Sequence, residues 1–436
     1  MHDTGCFRVR VPRWFVPVTA LLQFILFGYF LARTMIRPPF MDMLAWLAFY
    51  EYFRDHGGLG WYLWAFHNEH HLVWVRILTV IDVEFLRGSG VAFISAGTAA
   101  LAASATMVFM VIRRGDQSSG SMPRAGWLAA MLMLTSANAV DCGIPINTVY
   151  PIAAFFMVGS IVLFTSEAPR RRMFALPMAA GAALGNGAGL VIWPVLVWVA
   201  WRQQTGLIRT ATIALLGMIF IGIYTHGMPS TTPLADALRS HPFASGNVLK
   251  QMDYALAYLG LPFSRAPGLE MFSRCVGLAF LLAGLFAFVR ISLSPQANTP
   301  LNRFAAALIL ITLGSAVMAA IGRANLEPGV KIPVRYTVLV APMHIGVLVL
   351  VTRALGHRCR TTLRGLAAPG CAVTLLVMQV MIGLPAIRVS HAMRQAIEAY
   401  YRGDRDPEVA RFVYSDVASA DRLTGLLRDR GLLHPK

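Results

Sequence analysis

Long apolar runs without internal charges dominate the pattern of the chain. A helix that spans a bilayer needs about 20 mostly apolar residues, and nine runs reach or approach that length. They predict spans at residues 14–32, 90–112, 126–139, 149–165, 210–224, 275–289, 304–321, 336–352 and 366–387. The pattern therefore predicts an all-α, polytopic integral membrane protein with about ten to twelve hydrophobic segments.

The apolar run 173–201 differs from the others because glycines interrupt it. The sequence Gly185-Asn186-Gly187-Ala188-Gly189 divides this run into two pieces, each too short to span a bilayer. A broken or re-entrant hairpin fits this pattern, since irregular backbone at membrane depth lines a cavity or is buried in protein. Two short, tilted helices with a glycine packing contact are the alternative.

The distribution of charge orients the predicted spans. Charged residues make up 14% of the chain and the net charge is +17, which in a soluble protein would suggest a nucleic-acid partner. Alternating the spans from the basic N-terminus places seventeen arginines and three acids on one side, a net charge of +14. The positive-inside rule makes this side cytoplasmic. The charge is therefore an orientation signal, and we expect no nucleic-acid partner.

The remaining chain divides around this membrane region. Residues 1–13 form a basic cytoplasmic segment, and the absence of a small-residue cleavage site favours an uncleaved anchor. We expect a multi-pass domain over 14–387, with external loops at 33–89 and 226–274. Residues 388–436 form an external tail with helices predicted at 390–402, 406–414 and 418–431. Five scattered cysteines without a C-x-x-C motif indicate neither a disulfide framework nor a zinc site.

Most acidic residues lie in two segments that the model of alternating spans makes external. The loop 33–89 and the tail together hold 13 of the 21 acids, so catalytic chemistry is expected there first. A connection of this length usually has structure of its own. The alternation of aromatic and charged residues predicts helices on the membrane surface at 39–53 and 61–85.

A histidine cluster lies within the first external loop, in the sequence His67-Asn68-Glu69-His70-His71. On a helix, the three histidines share one face, where they can bind a phosphate or a divalent metal and supply a base near neutral pH. The spacing is not that of an H-E-x-x-H metal motif. The alternative is a polar patch at the headgroup level that water and lipid phosphate satisfy.

Two aspartates are candidates for substrate chemistry. Asp42 follows Pro38-Pro39 where the chain leaves the first span, so it can act as a catalytic base at the membrane edge. Its alternative role is that of a helix-start acid, which the helix dipole favours. Asp141 lies near the outer end of the third predicted span, where an ionisable residue is either functional or interfacial.

Arginines at the external edges of spans form a second group of candidates. Arg76 follows the histidine cluster, and Arg323, Arg335 and Tyr336 flank the connection between two late spans. Arginine suits a bidentate grip on phosphate or pyrophosphate. The alternative is that these side chains extend toward lipid headgroups.

Four features together resemble those of bacterial inner-membrane proteins of surface-polysaccharide assembly. They are the long first loop with Asp42, the histidine cluster with Arg76, the Arg323–Tyr336 region and the external helical tail. Two branches are similar: the C-type glycosyltransferases, whose first external loop carries an acidic catalytic residue, and the polymerase or export proteins of exopolysaccharide gene clusters. The resemblance implies Asp42 as base, helped by Glu69, His67 or His70. It implies that arginines hold the phosphate of a polyprenyl-linked sugar or oligosaccharide.

The expected function is therefore the transfer or polymerisation of polyprenyl-linked sugars at the outer face of the bacterial inner membrane. Expected partners are membrane lipid and other polysaccharide-assembly membrane proteins. The competing class is a transporter of the polysaccharide or its lipid-linked intermediates, with residues 173–201 and Asp141 near its pathway. The chain has no internal repeat and few ionisable residues in mid-span, which favours synthesis. A purely structural partner protein is the third alternative.

Overall fold

The structure is a computed structural model, and it describes residues 11–115, 122–229, 245–261, 263, 268–324, 334–358, 361–414 and 417–432. It is 83% helical, with no strand in these ranges. Within the same ranges, eight helices are long and apolar enough to cross a membrane. The protein is therefore an all-α polytopic membrane protein, as the apolar pattern predicts.

The helices are numbered here in chain order. They are α1 (Phe15–Thr34), α2 (Asp42–His56), α3 (Leu59–Trp64), α4 (Val73–Leu86), α5 (Val91–Arg114), α6 (Met122–Met133), α7 (Ser136–Cys142), α8 (Val149–Thr165), α9 (Pro169–Met173), α10 (Ala175–Gly185), α11 (Ile192–Arg202), α12 (Leu207–Thr225), α13 (Ser245–Leu259), α14 (Glu270–Leu293), α15 (Pro300–Arg323), α16 (Thr337–Arg358), α17 (Thr361–Tyr401), α18 (Pro407–Val413) and α19 (Val417–Asp429). The helices that can span a membrane are α1, α5, α8, α12, α14, α15, α16 and α17.

Eight of the nine predicted spans coincide with these helices to within a few residues at most ends. The prediction of one continuous helix over 126–139 is wrong, because α6 ends at Met133 and α7 begins at Ser136. The Thr135 hydroxyl accepts a hydrogen bond from the Asn138 backbone N–H and so starts the second helix. A side chain that satisfies a free N–H in this way is a typical helix-start signal.

The last span continues much further than the apolar run that predicts it. Helix α17 has 41 residues and is about 62 Å long at 1.5 Å per residue, twice the hydrocarbon thickness of a bilayer of about 30 Å. The predicted tail helix 390–402 is therefore not separate but forms the end of α17. Helices α18 and α19 agree with the predictions at 406–414 and 418–431.

The predicted surface helix 61–85 is interrupted at the histidine cluster, so the prediction of one helical face for the histidines is wrong. Between α3 and α4 the backbones of His67 and His70 exchange two hydrogen bonds of 2.8 and 3.1 Å. Asn68, at the corner of this tight turn, has a φ of 53°, a left-handed conformation that asparagine tolerates better than most residues. The turn separates His71 from the other two histidines.

The break in the run 173–201 is confirmed. Helices α10 and α11 are joined by a 3₁₀ turn at Gly187–Val191, and α10 packs against α8, with Ser160 Oγ donating to the Ala175 carbonyl at 2.8 Å. A Cβ atom at Gly189 would lie 2.2 Å from the Ala182 carbonyl carbon. Only glycine permits this approach of two backbones.

Helices α2, α3 and α4 form a layer, called here the surface layer, over one end of the bundle. The Trp74 indole N–H of α4 donates to the Gly181 carbonyl at 2.8 Å. The buried Asp82 carboxylate accepts from the backbone N–H groups of Gly90, at 2.8 Å, and Ala92, at 3.0 Å. Asp82 therefore caps the start of α5 from outside that helix, which ties the layer to a span.

The opposite end of the bundle holds several described arginines that the sequence predicts to be cytoplasmic, and it is called here the arginine-rich end. The Asn298 side chain donates to the Arg202 carbonyl at 2.7 Å and accepts from Arg303 at 3.2 Å. Arg353 donates to Thr299 Oγ1 at 2.7 Å. Helix α15 begins at this end and finishes at Arg323 beneath the surface layer, so the two ends carry different chemistry.

Candidate functional site

A cavity of about 160 Å³ lies where the surface layer meets the ends of the spans. Its polar lining comes from the histidine turn, the start of α8, the broken segment between α10 and α11, helix α13 and the two ends of the α15–α16 connection. The residues are Glu69, His70, Tyr150, Asn186, Tyr258, Ser315, Arg323 and Tyr336. Four of the predicted site residues, Glu69, His70, Arg323 and Tyr336, therefore meet in one cavity.

Asp42 lies beside this cavity and close to His67, one of the predicted helpers. Its Oδ2 atom is 4.0 Å from His67 Nε2. The nearby His67 side chain lowers the pKa of Asp42, burial opposes that shift, and the charges of Arg335 and Arg323 reinforce it. Asp42 is also the first residue of α2, where the helix dipole favours a negative charge. The carboxylate is therefore ionised near neutral pH and can accept a proton.

The backbone before Asp42 is strained and is held by the tail. Met41 has a φ of 51° and a ψ of −134°, a conformation that costs a non-glycine residue on the order of 1–3 kcal/mol. The Met41 N–H donates to the Val413 carbonyl at 2.6 Å, and the Tyr401 hydroxyl donates to the Pro39 carbonyl at 2.6 Å. The tail thereby fixes the point at which Asp42 enters the site.

Glu69, His70 and Arg323 form a polar group inside the cavity. Glu69 Oε1 is 3.6 Å from His70 Nε2 and 3.8 Å from a guanidinium nitrogen of Arg323. Burial lowers the pKa of His70 to about 4, although the Glu69 charge opposes that shift. His70 is therefore neutral near pH 7. Glu69 Oε2 and His70 Nδ1 have no hydrogen-bond partner among the described residues, so both can contact a ligand.

The broken segment approaches the histidine turn at Gly187. A Cβ atom at this position would lie 2.8 Å from His70 Nδ1, so a larger residue would displace the imidazole. The Asn186 side chain accepts from the Ala188 N–H at 2.9 Å and shapes the turn. The glycine break that interrupts the apolar run thus forms one wall of the cavity. Asn186 lies in this wall, although it was not among the predicted site residues.

Three tyrosines lie together at the start of α16. The Tyr336 ring centroid is 5.4 Å from that of Tyr150 and 5.3 Å from that of Tyr258. Arg335 lies next to them, with its guanidinium 5.9 Å from the Tyr336 ring. Tyr150 and Tyr258 were not among the predicted site residues, because neither belongs to a recognisable sequence motif.

Arg76 lines a second cavity on the other side of the histidine turn. This cavity has a volume of about 210 Å³, and its walls are Ala45, Trp46, Phe49, Tyr62, Phe66, His67, Leu72, Val75 and Arg76. The buried Arg76 guanidinium lies 4.6 Å from the Phe49 ring centroid and donates to the Tyr62 carbonyl. Burial lowers the pKa of Arg76 to about 10, so it is cationic at neutral pH. Its role in phosphate binding stays a prediction.

Two other residues that the sequence analysis named lie outside these cavities. The His71 ring stacks on Trp64 at 4.3 Å and its Nε2 is 2.9 Å from the Tyr224 carbonyl, which gives His71 a packing role. Asp141 is buried in α7. The structure therefore brings neither residue to the polar group at Glu69.

The histidine cluster has no metal-binding arrangement with the acids that the structure describes. Among the residues that the structure describes, no three His, Cys, Asp or Glu side chains are grouped to hold a metal ion. Comparison of the chain with protein-family models, curated proteins and solved structures finds no match. Function is therefore inferred from the site itself.

Proposed function

We propose that this protein transfers or polymerises polyprenyl-linked sugars at the outer face of a bacterial inner membrane. One observation carries the proposal: the ionised Asp42, paired with His67 at 4.0 Å, lies within electrostatic reach of Arg323 and Arg335 at the end of apolar spans. A base beside fixed cations suits the transfer of a sugar from a phosphate ester to a hydroxyl group. The neighbouring spans suit a donor whose polyprenyl chain stays in the bilayer.

In the proposed reaction, Asp42 is the base and two arginines stabilise the leaving group. Asp42 takes the proton from an acceptor sugar hydroxyl while the acceptor oxygen forms a bond to the anomeric carbon of the donor. The bond from that carbon to the phosphate oxygen breaks, and its electron pair stays on the phosphate. Arg323 and Arg335 stabilise the charge on this leaving group. In polymerisation, the same steps transfer a whole oligosaccharide in place of one sugar.

The two ends of the bundle support the proposed orientation. The arginine-rich end faces the cytoplasm under the positive-inside rule, which puts the surface layer and the tail outside. No nucleotide sugar is present on that side of an inner membrane, so the donor has to be lipid-linked. The other polysaccharide-assembly membrane proteins are expected to supply this donor and to remove the product.

Transport of lipid-linked saccharide is the second candidate, and one observation favours it. Asn186 and Ala188 of the broken segment line the same cavity as Glu69 and Arg323. Discontinuous helices that line a substrate site are typical of transporters. The ionised Asp42 beside the cavity is the feature that favours chemistry, because it can take the proton of an acceptor hydroxyl.

An assay without a membrane barrier separates the two functions. Purified full-length protein in detergent is incubated with a polyprenyl-phosphate sugar and an oligosaccharide acceptor, and glycosylated acceptor is measured by mass spectrometry. Transfer in detergent is expected, and it would exclude a function confined to transport. Absence of transfer by folded protein, together with movement of the lipid-linked sugar across sealed vesicles, would overturn the proposal in favour of transport.

A further inference from the structure

Three arginines converge at the arginine-rich end in what is called here the arginine niche, which consists of Arg172, Arg202 and Arg303. They come from α9, the end of α11 and the first turn of α15. Arg172 Nε donates to the Ser166 carbonyl at 2.7 Å. Asn298 links the other two, because it donates to the Arg202 carbonyl and accepts from the Arg303 guanidinium. Hydrogen bonds thus link the ends of α11 and α15, and the charge of Arg172 acts on Arg303 from α9.

The positive charge of the arginine niche is not balanced by the described protein. Arg172 and Arg202 act on Arg303 as like charges, and Glu167 is the acid that acts in the opposite sense. Within the described residues, no arginine of the niche forms an ion pair with a carboxylate. Like charges held close together favour binding of an anion.

Unused hydrogen-bond donors point to the same conclusion. The Nε atoms of Arg202 and Arg303 are buried and have no hydrogen-bond partner among the described residues. A buried donor without a partner is unfavourable, and a bond from a guanidinium to an anionic oxygen is stronger than one to a neutral acceptor. The niche therefore offers two directed donors as well as positive charge.

We infer that the arginine niche binds the phosphate of an anionic membrane phospholipid. Basic pockets between the ends of membrane helices suit such headgroups, and both α15 and the neighbouring α8 are apolar enough to cross a membrane. Trp201, which precedes Arg202, is 55% exposed and suits the membrane interface, where tryptophan is enriched. The site is at the opposite end of the bundle from Asp42 and does not depend on the proposed transferase activity.

Native mass spectrometry of the purified full chain tests this inference. The protein in detergent is titrated separately with phosphatidylglycerol, cardiolipin, phosphatidylcholine and inorganic phosphate. Phosphatidylglycerol or cardiolipin is expected to be retained at about tenfold lower concentration than phosphatidylcholine, the effect of one charge-assisted contact. Equal retention of phosphatidylcholine would overturn the inference. Full competition by inorganic phosphate at an equal concentration would also overturn it, in favour of a free-anion site.

Two matched variants show whether the niche itself is responsible. Arg202→Gln removes a guanidinium that forms no ion pair with a described carboxylate but leaves the Arg202 carbonyl available to Asn298, so folding should persist. The preference for anionic lipid should fall about tenfold. Arg113→Gln, in which the lost side chain is exposed at the end of α5, removes the same charge outside the niche and should retain the preference. An equal loss in both variants would overturn the inference, since it would indicate attraction by overall charge alone.

Discussion

The two ends of the helix bundle use arginine in different ways. At the end beneath the surface layer, Arg323 faces Glu69 at 3.8 Å and the ionised Asp42 lies nearby. At the arginine-rich end, Arg303 and Arg353 donate to amide, hydroxyl and carbonyl oxygens. The carboxylates, more than the arginines, therefore distinguish the candidate catalytic end. An arginine without a carboxylate partner can hold an anion, but proton transfer also needs a base.

The largest predicted effect on sugar transfer is that of removing the base Asp42. In Asp42→Asn, the acceptor hydroxyl keeps its proton, and the transfer rate should fall by about 10²–10⁴-fold. Sugar transfer in detergent measures this effect at a protein level confirmed by size-exclusion chromatography. Asp55→Asn is the matched control, since Asp55 lies on the same helix but pairs with Arg430. Normal transfer by Asp42→Asn would return Asp42 to the role of a helix-start acid.

The second effect compares one arginine from each end. Arg323→Gln should reduce kcat about tenfold to a hundredfold, because the charge that develops on the leaving phosphate loses a stabilising donor. Arg353→Gln at the other end removes the same charge and should retain the wild-type kcat per folded molecule. Steady-state kinetics with the polyprenyl-phosphate sugar measures both. Similar losses in the two variants would mean that arginine at either end affects the reaction only through stability.

A smaller effect concerns the wall that the broken segment adds to the candidate catalytic end. The new Cβ of Gly187→Ala would lie 2.8 Å from His70 Nδ1, and such overpacking costs about 1–3 kcal/mol. Thermal unfolding in detergent should show a lower melting temperature. Gly28→Ala is the control, because a Cβ there meets no atom within 4 Å. Equal melting temperatures for both variants would show that the turn does not press against the imidazole.

The smallest predicted effect is a pH dependence that belongs to the same end. The folded chain protonates His70 only near a pKa of about 4, whereas an unfolded histidine does so near 6.5. The unfolded state therefore binds more protons between these values, and stability should fall as pH drops from about 6.5 toward 4. The melting temperature of His70→Gln should decline less over this range than that of wild type or of the exposed-site control His56→Gln. If the melting temperatures of all three proteins depended on pH in the same way, the conclusion that His70 is buried and neutral would be contradicted.

The spans could be predicted from the sequence because their signal is local. Twenty apolar residues need no distant partner to indicate a membrane helix. The glycine break at 185–189 is also local, since Gly189 packs against the preceding helix at Ala182. The predicted end of the last span was wrong because it depends on a distant contact. Helix α17 continues beyond the apolar run, and Tyr401 at its end donates a hydrogen bond to the Pro39 carbonyl.

The candidate site was only partly predictable because it is assembled from distant segments. Asp42 and His67 are paired across 25 positions, and the helical spacing assigned to the histidines concealed the tight turn at Asn68. Tyr150 and Tyr258 carry no motif and acquire their place only through packing around Tyr336. Sequence patterns thus identified most charged members of the site, whereas its shape depends on tertiary contacts.

The most direct test of the division between the two ends is a binding measurement with two double variants. Native mass spectrometry measures retention of a polyprenyl-phosphate sugar and of phosphatidylglycerol by wild type, Arg323→Gln/Arg335→Gln and Arg202→Gln/Arg303→Gln. The first variant should lose about tenfold or more in affinity for the polyprenyl-phosphate sugar only, and the second should lose it for phosphatidylglycerol only. Loss of polyprenyl-phosphate sugar binding in the second variant, with normal binding in the first, would contradict placement of the substrate at the end that bears Asp42.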